Sequence, residues 1–138
     1  MTGIDTNVLV RYITQDDPQQ AEAASNFIEK SCTPEQPGYV NHIVLCEVFW
    51  VLQRCYKARK DKILRVIGQI LRTEQFRVQE PQIVWLALSE TRAGKADFAD
   101  YLNWSINKNA GCEQTVTFDR ALQGTDGVRV LPTPGKAE

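Results

Sequence analysis

The chain has 138 residues, of which 43% are hydrophobic and 24% charged, as in an ordinary globular protein rather than a disordered or fibrous one. A formal net charge of -1 excludes the broad positive field of a protein that coats DNA. The four cysteines are far apart and form no C-x-x-C pair, which argues against a zinc site or a disulfide framework. No apolar window is long enough for a membrane span, so we expect a cytoplasmic address.

Hydrophobic periodicity predicts short strands that alternate with helices along the chain. A buried strand at Ile4 leads into a first helix, and Asp17 followed by Pro18 is typical of a second helix start. A short strand at 39–40 precedes the most apolar run of the chain, residues 43–52. The later predicted elements are a helix around 63–71, an extended segment at 76–78, helices from 81 and over 95–111, and strands at 114–119 and 128–131.

The length of the chain predicts a single domain with one core, which we place over residues 1–131. No repeat and no low-complexity tract interrupts it. Residues 132–138 follow the last predicted strand and are expected to form a loose tail.

Two carboxylates stand where a predicted strand ends and a helical turn begins. Asp5 follows the first strand, and Asp119 ends a later one. If these two strands are neighbours in a parallel sheet, both carboxylates emerge at its carboxyl edge, where ligands bind in open sheets. Thr6 and Thr117 would add hydroxyl groups there. For Asp5 the alternative is a helix N-cap, in which its oxygen accepts backbone N–H groups of the first turn.

Glu47 is the only charged residue in the apolar run 43–52. An ionised carboxylate that stays unpaired in such surroundings is destabilising, so the pattern indicates that Glu47 is protonated, paired or bound to a cation. The alternative is that Glu47 lies on the one exposed stripe of this helix, or that it pairs with an arginine.

Asp97 and Asp100 lie near the start of the predicted helix over 95–111, and their spacing of three places both carboxylates on one face. Two oxygens about one turn apart suit a single divalent cation. The same spacing resembles a capping box with aspartate in place of glutamate, and we favour the cap for Asp97 and a ligand for Asp100. The packed stripe and the C′ terminator of this helix are predicted to be Ala99, Leu102, Ile106 and Ala110, followed by Gly111.

Six basic residues lie within the twelve positions from 54 to 65, opposed only by Asp61. They form either an edge that contacts the phosphates of a nucleic acid or a solvated corner between two helices. These basic residues are Arg54, Lys57, Arg59, Lys60, Lys62 and Arg65.

Carboxylates from separate elements are therefore the candidate ligands of a cation: Asp5, Glu47, Asp100 and Asp119, with Asp97 as a further candidate. Carboxylates brought together raise one another's pKa unless a cation neutralises them, and oxygen ligands favour Mg²⁺ or Mn²⁺ over zinc. Such a cation lowers the pKa of a bound water and neutralises a phosphate under attack. The single His42 and the absence of a G-x-S-x-G motif argue against acyl transfer.

Four acidic motifs follow one another along the chain. They are Asp5-Thr6-Asn7-Val8-Leu9-Val10-Arg11-Tyr12, Glu47 in a helix rich in valine, leucine and tryptophan, Ala96-Asp97-Phe98-Ala99-Asp100, and Thr115-Val116-Thr117-Phe118-Asp119-Arg120. In this order they resemble the PIN domain, and more narrowly the VapC-type toxins of bacterial toxin–antitoxin pairs. The resemblance extends over nearly the whole chain, from the first strand to the last.

The resemblance implies a three-layer α/β/α fold with a central, mainly parallel sheet, and a Mg²⁺- or Mn²⁺-dependent ribonuclease that cuts RNA by attack of water. It also implies a cognate VapB-like antitoxin and a homodimer as protein partners. The positions of the family's acidic site fall here on Asp5, Glu47, Asp100 and Asp119, with Asp97 as a further candidate. Secondary candidates for contact with the substrate are Thr6, Asn7 and Thr117.

Two other functions fit the same carboxylates. One is a phosphohydrolase with Asp5 as nucleophile, since a strand-terminal aspartate with Asn7 two residues later resembles the start of the haloacid dehalogenases. The other is a partner-binding module without catalysis, in which the carboxylates only cap helices.

Overall fold

The computed structural model describes residues 1–135, which fold into two compact units. The first unit is Met1–Pro81, and the second begins at Gln82. All described strand pairs are parallel and helices alternate with the strands, which confirms the predicted α/β class with a mainly parallel sheet. This division into two compact units does not test whether residues 1–131 form a single domain, which remains a prediction. No helix within residues 1–135 is both long and apolar enough to cross a membrane.

The elements of the first unit are β1 (Thr2–Gly3), α1 (Thr6–Thr14), α2 (Pro18–Ser31), β2 (Gly38–Val40), α3 (His42–Arg54), α4 (Lys60–Arg72) and β3 (Phe76–Val78). The strands form one three-stranded parallel sheet in the order β1–β2–β3, with Gly38 of β2 opposite Thr2 and Phe76. A Cβ atom added at Gly38 would lie 2.9 Å from Cγ1 of Ile4 and 3.2 Å from Sγ of Cys32. The close packing of the middle strand therefore requires glycine at this position.

Side chains at the helix starts explain where α2 and α3 begin. Oδ1 of Asp17 accepts a hydrogen bond from the N–H of Gln20 at 3.1 Å, and Pro18 occupies the first helical position. Oδ1 of Asn41 accepts a hydrogen bond from the N–H of Val44 at 3.0 Å. The predicted start of α2 is therefore confirmed, and the cap of α3 fixes the start of the helix that carries the mid-chain glutamate.

The second unit contains a two-stranded parallel ladder, in which Thr115 is paired with Val128. Its elements are α5 (Pro81–Ala93), whose first residue is the last residue of the first unit, α6 (Phe98–Asn109), β4 (Thr115–Thr117), a 3₁₀ turn (Arg120–Leu122) and β5 (Val128–Val130). Of the predicted tail, residues 132–135 form no helix or strand, and residues 136–138 lie outside the described residues.

The packed stripe of α6 differs from the prediction. Ala99, Ile106 and Ala110 are exposed. The helix is buried instead through a face of larger side chains, because these remove more apolar surface from water than the alanine face does. The buried residues of α6 are Phe98, Tyr101, Leu102, Trp104 and Ser105. Gly111 ends the helix as predicted, with a φ of 95° and its N–H donating to a carbonyl of the last turn.

The strands that precede Asp5 and Asp119 lie in different ladders. β1 pairs with β2, and β4 pairs with β5 in a separate sheet, so the assumption that the two strands are neighbours in one sheet is wrong for the strands described within residues 1–135. β1 spans only two residues, because the chain turns at Asp5 to begin α1. The convergence of these two carboxylates therefore stays a prediction.

Candidate active site

A surface cleft of the first unit contains the site residues predicted in that unit. Its volume is about 440 Å³, and its walls come largely from α1 and α3. Asp5 and Glu47 line it together with Thr6 and Asn7. The first two acidic motifs, which are forty residues apart in sequence, thus meet in one cleft. The other lining residues are Val10, Arg11, Val51, Cys55 and Tyr56.

Asp5 is the N-cap of α1, with a φ of -80° and a ψ of 159°. Its Oδ1 accepts a hydrogen bond from the N–H of Thr6 at 2.8 Å, so the capping interpretation is confirmed. Capping uses one of the two carboxylate oxygens, and the side chain is exposed at the cleft. A helix cap and a metal ligand are therefore compatible roles for Asp5.

Glu47 is exposed, in contrast to the apolar surroundings predicted from its neighbours in sequence. The exposed stripe of α3 also contains Ile43 and Trp50, whose side chains are 71% and 56% exposed. The alternative that Glu47 lies on the exposed stripe of this helix is therefore confirmed, and the expectation of an apolar environment is wrong because it assigns such large apolar residues to the core. Glu47 therefore needs no partner to offset burial, and its role in the site depends on its contacts.

The carboxylate of Glu47 is held by Thr6. The Thr6 hydroxyl donates a hydrogen bond to Oε1 of Glu47 at 2.5 Å. Because this bond joins the start of α1 to the middle of α3, it fixes Glu47 in the cleft that Asp5 also lines. Thr6 is thus a positioning residue for an acid.

A polar cluster around Arg11 in the same cleft is not predicted from the sequence. Nη1 of Arg11 lies 3.0 Å from Oδ1 of Asp16 and 3.1 Å from the Tyr56 hydroxyl, and Nε donates to Oε1 of Gln20 at 2.8 Å. The Tyr56 hydroxyl donates to Oδ2 of Asp16 at 2.7 Å. Hydrogen bonds from Tyr56 and then Thr14 lower the pKa of Asp16. No local pattern predicts this cluster, because Tyr56, which joins Arg11 to Asp16, is 45 residues from Arg11 in sequence.

Three acidic side chains of the second unit belong to the predicted site. Asp100 lies near enough to Asp119 and Asp97 for their negative charges to act on its carboxyl group. The pKa of Asp100 is raised, first by partial burial and then by the negative charges of Asp119 and Asp97. A hydrogen bond from the backbone N–H of Asp97 offsets part of this rise. The fold of the second unit thus places like charges against one another.

Asp97 is the N-cap of α6 by its backbone, with a φ of -75° and a ψ of 155°. Its side chain makes no capping hydrogen bond, so the preference for a cap is wrong for the carboxylate. The N–H of Asp100, which the cap would use, donates instead to the backbone carbonyl of Asp97 at 3.0 Å. The Asp97 side chain therefore does not form its half of the capping box. The exposed carboxylate of Asp97 is therefore accessible to a ligand.

Asp119 is the N-cap of the 3₁₀ turn, and its Oδ1 accepts the N–H of Ala121 at 2.9 Å. The N–H of Asp119 donates to the hydroxyl of Thr117 at 3.0 Å. Thr117 therefore shapes the turn that presents Asp119. Like the first aspartate of the chain, Asp119 uses one carboxylate oxygen for capping.

Each unit contributes its own part of the predicted site. The first holds Asp5 and Glu47, and the second holds Asp97, Asp100 and Asp119. Within residues 1–135, no three His, Cys, Asp or Glu side chains form a group that could hold a metal ion. The sharing of one cation by all these carboxylates therefore remains a prediction.

Comparison with known proteins gives the family of the chain. The family model described as PIN domain matches residues 4–128, a range that includes all the predicted site residues. The chain is also similar to a VapC ribonuclease of Aquifex aeolicus, with 25% identity over 123 residues, which are 89% of this chain and 90% of that protein. The parallel ladders and alternating helices agree with the three-layer α/β/α fold of that family. Since the family model covers most of its length, this chain belongs to the PIN domain family.

Proposed function

We propose that this chain is a Mg²⁺- or Mn²⁺-dependent endoribonuclease that acts as the toxin of a toxin–antitoxin pair. The closeness of Asp119 and Asp97 to the partly buried Asp100, within the range that matches the PIN domain, carries the proposal. Two carboxylates held against each other destabilise the folded state unless a cation or a proton neutralises them. In a PIN domain that is similar to a protein named VapC ribonuclease, a site for a cation and an RNA phosphodiester accounts for such an arrangement.

The candidate ligands offer only carboxylate oxygens, which are the donors that Mg²⁺ and Mn²⁺ prefer. When bound, the cation supplies charge neutralisation and activates water for hydrolysis of the phosphodiester. The residues to which we assign this cation are Asp5, Glu47, Asp100 and Asp119, with Asp97 as a further candidate.

Other residues of the chain position these acids and the substrate. Capping fixes the side chain of Asp5, and the Thr6 hydroxyl fixes Glu47. Thr117 fixes the backbone turn that presents the last aspartate of the set. To Asn7, which is exposed in the cleft, we assign a contact with the RNA phosphate.

The toxin assignment implies two protein partners. We propose a cognate VapB-like antitoxin, which keeps the enzyme inactive in the cytoplasm, and a homodimer of this chain. Light scattering of the purified chain tests the homodimer, for which we expect twice the monomer mass of 15.6 kDa. A monomer mass would contradict the homodimer and would leave the nuclease assignment unaffected.

Cleavage of a mixed panel of structured RNAs tests the enzyme assignment. The chain is purified without partners and incubated with Mg²⁺ or Mn²⁺, and the products are separated on a denaturing gel. We expect internal cuts that EDTA abolishes and that Asp5→Asn reduces by about a hundredfold or more. A folded sample that binds Mn²⁺ and cuts no RNA would contradict the ribonuclease. An aspartyl-phosphate trapped on Asp5 would favour the phosphohydrolase.

A further inference from the structure

Positive charge is concentrated between residues 54 and 65, which we call the basic segment. It holds six of the sixteen Lys and Arg residues of the chain and one of the seventeen Asp and Glu residues, a net charge of +5. The rest of the chain then carries a net charge of -6. The basic segment is therefore a local positive region on an otherwise acidic protein, a distribution that attracts polyanions.

The basic segment comprises the end of α3, the connecting turn and the first half of α4. All six of its basic residues are exposed. Its single acid, Asp61, is shared between Nε of Arg59 at 3.6 Å and Nη2 of Arg65 at 3.8 Å. Exposed ion pairs of this length contribute little, so the segment keeps most of its positive charge.

The connecting turn and α4 both hold exposed cations of this segment. Lys57 has a φ of 55°, a left-handed conformation that lysine rarely adopts and that glycine or asparagine would adopt with less strain. In α4, buried Ile63 and Ile67 anchor one face of the helix, which leaves Lys62 and Arg65 exposed to solvent. The positive charges thus lie outside the core on two consecutive elements.

The basic segment begins at the cleft that holds Asp5. Cys55 and Tyr56, which line this cleft, lie between Arg54 and Lys57 in sequence. A strand of nucleic acid with one phosphate in the cleft therefore has cations close by for its neighbouring phosphates.

We propose that the basic segment binds the phosphates of the RNA on one side of the bond that is cut. This inference rests on the proposed ribonuclease function and names the surface that holds its substrate. Exposed Lys and Arg side chains in a segment that contains a single carboxylate suit phosphate contacts, which position a nucleic acid without reading its sequence. Binding through this surface is therefore expected to depend strongly on salt and weakly on RNA sequence.

A triple variant removes three of these charges with little expected effect on the fold. It combines Arg54→Gln, Lys57→Asn and Lys62→Gln, whose parent side chains make no ion pair within residues 1–135. Asparagine tolerates the left-handed conformation at position 57. A control variant that matches it in charge replaces exposed basic residues elsewhere, with Lys30→Gln, Arg77→Gln and Arg129→Gln.

Fluorescence polarisation with labelled members of the RNA panel, in EDTA and over a range of salt concentrations, measures the effect. We expect the triple variant to bind about ten- to a hundredfold more weakly, and the slope of log K against log salt to become shallower by about 2. The control variant should lose less than about threefold. With Mg²⁺ or Mn²⁺ present, the triple variant should have a raised KM and a nearly unchanged kcat.

Equal RNA binding by the triple and control variants would overturn this inference, and the ribonuclease proposal would stand as long as the unchanged protein cuts RNA. A binding difference in a protein that cuts no RNA would instead contradict the ribonuclease proposal alone. Retained RNA binding with loss of an acidic protein partner would reassign the basic segment to protein binding. Should the triple variant unfold, Lys57→Asn combined with Lys62→Gln gives the same test with a smaller effect.

Discussion

Asp16 in the first unit and Asp100 in the second have pKa values shifted in opposite directions. Asp16 accepts a hydrogen bond from Tyr56 and is paired with Arg11, and both contacts favour its charged form. Asp100 is partly buried against the charge of Asp119, which disfavours its charged form. The first environment stabilises the fold by itself, whereas the second is unfavourable until something neutralises it, as is typical of binding and catalytic sites.

The surroundings of Asp16 and of Asp100 therefore differ in their effect on the folded protein. The hydrogen bonds of Arg11 join the end of α1 to the loop before α2 and to the turn after α3. They hold the wall of the cleft in which Asp5 lies. Asp119 also caps the 3₁₀ turn, but the negative charges near Asp100 are unfavourable to its own ionised form.

The largest effect should come from removing one charge of the acidic pair, Asp100 and Asp119. Asp100→Asn keeps the shape of the side chain but removes the negative charge of a carboxylate that we propose as a ligand of the cation. RNA cleavage should therefore fall by about a hundred- to a thousandfold. Calorimetry with Mn²⁺ should show binding that is weaker by about tenfold or more. The matched control is Asp126→Asn, which removes an exposed aspartate of the same unit paired with Lys108 at 2.7 Å. Equal losses in the two variants would contradict the functional role of the pair.

A smaller effect should come from weakening the environment of Asp16. Tyr56→Phe removes the hydroxyl that donates to Asp16 at 2.7 Å and accepts from Arg11 at 3.1 Å. We expect thermal unfolding followed by circular dichroism to show a Tm lower by about 2–5 °C. Tyr12→Phe is the control, because the Tyr12 ring contacts Phe76 and its hydroxyl makes no hydrogen bond within residues 1–135. An equal decrease in both variants would mean that the hydroxyl of Tyr56 stabilises nothing.

The same contrast shows what can be predicted from the sequence. Local patterns are sufficient for the helix starts at Pro18 and Pro81 and for strands that include 39–40 and 76–78, because caps, prolines and strand-favouring residues act within a few positions. The presence of acids at the ends of strands follows from such patterns too. The polar cluster of Arg11 does not, since it joins side chains about forty residues apart.

Burial is the property that periodicity predicts least well in this chain. Ile43 and Trp50 are exposed beside Glu47, although their sequence neighbours form the core of α3. Ala99 and Ile106 are exposed in α6 for the same reason, because an apolar stripe on a helix does not specify which of two apolar faces is packed. The closeness of Asp100 and Asp119 likewise cannot be predicted from the sequence, because it depends on how a loop places one acid near another.

The smallest effect concerns the free energy of unfolding as a function of pH. The contributions of Asp16 and Asp100 to this free energy should change in opposite directions as the pH rises. Asp16 has a lowered pKa in the folded protein, so its contribution is present above the unfolded-state pKa and is lost as the pH falls through the folded-state pKa. Asp100 has a raised pKa, so its contribution is fully present below the unfolded-state pKa and is lost as the pH rises through the folded-state pKa.

In metal-free protein, Asp16→Asn should therefore flatten the loss of stability below about pH 4. Asp100→Asn should raise the free energy of unfolding at neutral pH by about 0.3–1 kcal/mol, a modest value because solvent screens a side chain that is only partly buried. This gain should vanish on acidification, since protonation then removes the same charge from the unchanged protein. Urea unfolding at a series of pH values in EDTA measures both variants, and added Mn²⁺ should stabilise the unchanged protein more than Asp100→Asn. If Asp100→Asn is destabilising at neutral pH without metal, Asp100 supports the fold as Asp16 does, and the contrast between the two regions fails.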